Sequence, residues 1–162
     1  MRRNIKRQIK KIRMLLRNRP KVFVIGFNKT GTTSIEAALK ELGYYLGNQR
    51  RGEMLWGDIV SKNYEALYSL INSAEAFQDN PFSCPEIFKV IDQKFPGSKF
   101  ILTVRDSVDQ WYKSTINFES KIFGNGSLPS KKMLEDHPYC YKGWIAKINN
   151  FIFDDLSYNE NI

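Results

Sequence analysis

A chain of 162 residues with 42% apolar and 14% aromatic content is long enough for one domain with an ordinary buried core. One histidine, His137, and two distant cysteines, Cys84 and Cys140, make no metal knuckle, so no metal is expected. The net charge of +8 is unevenly placed, because residues 1–20 carry nine Lys or Arg and no acid, while the rest is nearly neutral; nucleic acid is therefore an improbable partner for the body of the chain.

Within that basic start, Ile5, Ile9, Ile12, Leu15 and Leu16 recur at helical spacing and predict an amphipathic basic helix. It suits an anionic membrane surface at residues 2–19 or a nucleic-acid phosphate backbone, or packs its apolar stripe on the domain. It lacks the apolar core of a secretory signal, and no run in the chain nears the ~20 residues that span a bilayer. A cytoplasmic, reducing and possible membrane-peripheral setting is expected. The sequon at Asn125 matters only in a secreted protein.

After Pro20, "KVFVIG" reads as a buried strand. The loop "FNKTGTT" follows, then a helix from Ser34 to Leu42 closed by Gly43. Residues 52–73 read as helical. "AEAFQD" predicts a strand ending at Asp79, and "CPEIFKVIDQKF" a helix with Pro85 in its first turn. "KFILTV" is the strongest strand, and it runs into a long helix from Arg105 to Phe123. "GNGSLPSKK" is a loop, and "YCYKGWIAKINNFIF" a last helix. Strands alternating with helices predict an α/β fold, a central parallel sheet covered on both faces. The expected division is a helix over residues 1–20 and one domain over 21–162.

In such sheets ligands bind beyond the carboxyl ends of the strands. The 27–33 loop, "QDN" at 78–80 and "RDS" at 105–107 all fall there. A strand-to-helix loop aims backbone N–H groups and the positive helix end at one spot, which suits phosphate. Thr32 and Thr33 add hydroxyls, and Lys29 a mobile charge. A plain tight turn with N-capping threonines is the alternative reading. Gly26 and Gly31 have the spacing of a triphosphate loop, but Thr32 stands where its lysine belongs.

Asn28, Lys29, Thr30, Gly31, Thr32 and Thr33 instead resemble the 5′-phosphosulfate loop of the sulfotransferases, close to P-K-[ST]-G-T-[ST], with Asn28 in place of proline. "FQDNPFSCPEIFKVIDQKFPGSKFILTVRDS" is similar to the P-loop branch of that family, and the resemblance covers residues 21 to about 160. It implies a P-loop nucleotide-binding fold and sulfuryl transfer from 3′-phosphoadenosine 5′-phosphosulfate, the co-substrate, to a hydroxyl or amine of a small-molecule or glycan acceptor, without metal. It also implies that Arg105 and a serine two helical turns on read the donor's 3′-phosphate. Ser114 is that serine, one residue beyond the family spacing, an offset that a π-bulge or a bend near Trp111 would absorb; the alternative is that Lys113 takes its place. Arginine suits phosphate because its planar fork makes two parallel charge-assisted bonds; a surface ion pair with Asp106 or Asp109 is its plain alternative.

Transfer to an alcohol needs a proton acceptor and a cation on the departing oxygen. The resemblance puts Asp79 in the first role, with Lys29 as the cation; a turn or N-cap role is the alternative for Asp79. His137 reads as structural. Family members are longer, so a C-terminally truncated member is expected. The competing functions are a P-loop kinase or NTPase, and a protein with a dead nucleotide site that binds anionic surfaces through its tail.

Overall fold

The computed structural model describes residues 2–153, and the chain divides into two compact units, residues 1–104 and 105–162. In the first unit, β1 (Val22–Val24) is buried throughout and lies between β2 (Ala76–Phe77) and β3 (Lys99–Ile101), parallel to both. A β-branched and aromatic run is what a strand buried on both faces requires. The register sets Phe23 beside Phe77 and Phe100. Its ring stacks on theirs at 5.4 and 5.7 Å, with Phe82 at 5.5 Å. The opposite face carries Val22, Val24 and Ala76, covered by Leu39 and Ile35 of α2 (Thr32–Glu41). Gly43, at φ 75°, ends that helix by donating its N–H to the Lys40 carbonyl, the left-handed stop that glycine makes inexpensive.

The strands are shorter than their apolar runs. Ile25 donates to the Ile101 carbonyl at 2.9 Å, but Gly26 then turns into the loop. Residues 102–104 thus lose the partner that would extend β3. β2 stops because Asp79 takes φ 62° and its carbonyl accepts from the Phe82 and Ser83 N–H groups. That turn also delays the next helix: α6 is Ile87–Lys94, entered from Glu86 at φ 67° rather than from Pro85.

The expected single helix over 52–73 is three: α3 (Gln49–Glu53), α4 (Trp56–Val60) and α5 (Glu65–Ile71). Lys62 at φ 56° separates α4 from α5, in the polar stretch "SKN" that offers no apolar face to continue. α1 (Arg2–Arg17) forms as predicted. Its apolar stripe is not packed on the domain: Ile12 is 55% exposed, Leu15 71% and Leu16 81%.

The second unit begins with α7 (Val108–Ile122), capped by the Ser107 hydroxyl, which accepts from the Gln110 N–H at 3.1 Å. A short helix that the sequence reading leaves as loop, α8 (Lys131–Asp136), is capped in the same way by Ser130. α9 (Trp144–Phe153) buries Trp144, Ile145 and Ile148. Asn149 of α9 donates to Glu119 of α7 at 3.2 Å, and burial raises that carboxyl's pKa. The expected polar tail beyond Phe153 lies outside the described residues.

Candidate functional site

β1 hands the chain to α2 through residues 25–31. Gly26 is there because nothing larger fits: a Cβ would stand 2.0 Å from the Thr103 hydroxyl and 2.4 Å from its carbonyl. Thr103 in turn hydrogen-bonds the Thr30 hydroxyl at 2.7 Å, and Thr30 Oγ1 donates to the Phe27 carbonyl at 2.5 Å. The loop is thus pinned to the chain leaving β3. Lys29 and Gly31 both take left-handed backbone, φ 67° and φ 99°. Gly31 is the N-cap of α2, and a side chain there would meet open space. The first N–H groups of a helix lack partners one turn back within it, so this end of α2 offers backbone donors. Thr32 is buried, Thr33 is exposed, and Asn28 and Lys29 are half-buried.

Asp79 follows β2, the neighbour of β1 in the sheet. Its Oδ1 accepts from the Asn80 N–H at 2.8 Å and its Oδ2 from Gln49 Nε2 at 3.1 Å. Burial raises its pKa, and the nearby Glu53 charge adds to the rise; the Asn80 N–H, Lys29 and Gln49 act the other way. Burial lowers the Lys29 pKa and Asp79 opposes that. The structure therefore brings Lys29 and Asp79 within electrostatic reach of each other.

Around Asp79 is a polar network that sequence reading missed. Gln49 Nε2 also donates to Glu53 at 3.1 Å, while Gln49 Oε1 accepts from Gln78 at 2.7 Å. Gln78 reaches Glu36 of α2 at 3.3 Å, and its own Oε1 is buried without a partner. Glu53 is only 5% exposed, with Arg50 at 3.6 Å. The signal that could have found this pair is its i,i+4 spacing, which sets Gln49 and Glu53 on one helix face. Among the described residues no three His, Cys, Asp or Glu side chains form a metal-ligand group.

Arg105 opens the second unit and is exposed, and Ser114 is half-buried on α7. α7 is α-helical through Trp111, so no π-bulge there absorbs the extra residue, and Ser114 lies nine residues after Arg105. His137 packs edge-on against Phe123 at 4.8 Å, with its Nδ1 unpartnered.

The sulfotransferase domain family model matches residues 21–160. With that match over most of its length, the chain belongs to the sulfotransferase domain family; it is an enzyme of that class, with the P-loop-type α/β fold that the class implies. Its reaction is transfer of a sulfuryl group. No curated protein sequence matches the chain at a significant level.

Proposed function

We propose that the enzyme transfers the sulfuryl group of 3′-phosphoadenosine 5′-phosphosulfate to a hydroxyl or amine of a small-molecule or glycan acceptor. The observation that carries this reading is the loop before α2: Lys29 and Gly31 in left-handed backbone, opening the helix beside the Asp79 carboxyl. The fit to a phosphosulfate rests on the open N-cap at Gly31, the backbone donors of the first helical turn and the lysine. Asn28, Lys29, Thr30, Gly31, Thr32 and Thr33 hold the 5′-phosphosulfate end; Arg105 and Ser114 take the 3′-phosphate.

In the reaction the acceptor oxygen forms a bond to sulfur as the bond from sulfur to the bridging phosphate oxygen breaks. Asp79 takes the acceptor's proton, which its raised pKa favours. Lys29 donates to the departing oxygen, where negative charge builds. Cys84 and Cys140, which form no disulfide, suit a reducing, cytoplasmic setting.

Calorimetric titration with 3′-phosphoadenosine 5′-phosphate, against ATP with magnesium, tests the reading. The bisphosphate is expected to bind and ATP to bind weakly or not at all. Tighter ATP binding with a strict magnesium requirement would assign the loop to a kinase or NTPase.

A further inference from the structure

We infer that α1 is a membrane-docking helix that lays its Ile5, Ile9, Ile12 and Leu16 edge into an anionic lipid surface. In an ordinary amphipathic helix the apolar stripe faces the core and the charged face meets water. Here the arrangement is reversed. Lys10 lies over the Tyr45 ring at 5.3 Å, and Arg17 donates to the Gly43 carbonyl at 2.8 Å and pairs with the buried Glu75 at 3.5 Å. Positions 10, 14 and 17 form one face at helical spacing, and Met14 lies with Lys10 along a cleft shared with Tyr68 of α5. The side turned away from them holds Ile5, Ile9, Ile12, Leu15 and Leu16, all exposed.

Charge decides what covers that edge. Residues 1–20 hold nine Lys or Arg and no acid. A second copy of α1 would bring nine more positive charges against them, which repel. An anionic bilayer accepts both features: the apolar edge enters the acyl boundary, while Lys11 and Arg13, exposed on either side, meet the headgroups. At 16 residues α1 is about 24 Å long, and no described helix is long and apolar enough to cross a membrane. It lies in the plane of the surface. This inference stands apart from sulfuryl transfer and survives if the donor is another nucleotide.

The test uses the full chain with phosphatidylcholine vesicles, plain or containing phosphatidylserine, in flotation at low salt. The comparison is the variant Ile9→Ser/Ile12→Ser/Leu16→Ser, whose side chains are exposed, so its melting temperature should match the parent's. The parent should float with the anionic vesicles only, and the variant should bind them about tenfold or more weakly. Failure of the parent to bind at low salt would overturn the inference. So would equal binding by the variant, which means a contact through charge alone. A parent dimer that the variant cannot form, seen by analytical sedimentation, would show instead that a second copy covers the edge.

Discussion

Asp79 and Glu53 both accept from the Nε2 amide group of Gln49, at 3.1 Å each. Burial raises the Asp79 pKa, and the Glu53 charge so placed adds to that rise. Glu53→Gln removes the charge and keeps the shape. The Asp79 pKa should then fall, and the acid limb of the pH–rate profile should move to lower pH, since Asp79 works as a base only when ionised. An unmoved limb would place the base elsewhere. Lys29→Met should lower kcat by about 10²–10³, the cost of one donor at a developing charge, and should raise the Asp79 pKa. Arg105→Ala should weaken 3′-phosphoadenosine 5′-phosphate by about 1.5–3 kcal/mol and spare an analogue without the 3′-phosphate; calorimetry on both separates the roles. Lys29 and its loop were readable because their neighbours are adjacent in sequence. Gln49 and Glu53 were not, because they meet Asp79 only after the chain has folded across about 30 intervening residues.

Among the elements, alternation of strand and helix was plain, and the lengths were not. An apolar run records burial, whereas a strand also needs a partner to pair with, and β1 leaves the sheet at Gly26 before residues 102–104 can use it. The break at Lys62 and the short α8 escaped for related reasons: each is decided by a few backbone angles or one serine cap rather than by a periodic pattern. Gly26→Ala tests the tightest of these joints. The new methyl group would strike Thr103, so we expect a loss of about 1–3 kcal/mol and a lower melting temperature. Adding Thr103→Ala should recover only part of it, because the Thr103 carbonyl also stands at 2.4 Å.

For the molecule as a whole, composition located the basic character in residues 1–20, but which side of α1 meets the domain could not be read from spacing. Helical periodicity defines a stripe without saying what lies against it. The partition at residues 104 and 105 was equally out of reach, since it depends on contacts and falls within a run read as one strand and helix. Deleting residues 1–19 should cost about 1–3 kcal/mol, because Glu75 is 2% exposed and would lose its Arg17 partner. Thermal melting checks that loss. Affinity for 3′-phosphoadenosine 5′-phosphate should not change, because Lys29 and Arg105 remain.

Arg17 and Arg19 grip the Gly43 and Leu42 carbonyls at one end of α2, and the candidate phosphate loop opens the other. Ten residues of helix make that link a stiff rod of about 15 Å. With α1 resting on lipid, the rod tethers the loop to a shallow layer above the surface. An acceptor confined to the same layer is then found by a search in two dimensions, and one dissolved in bulk gains nothing from the tether.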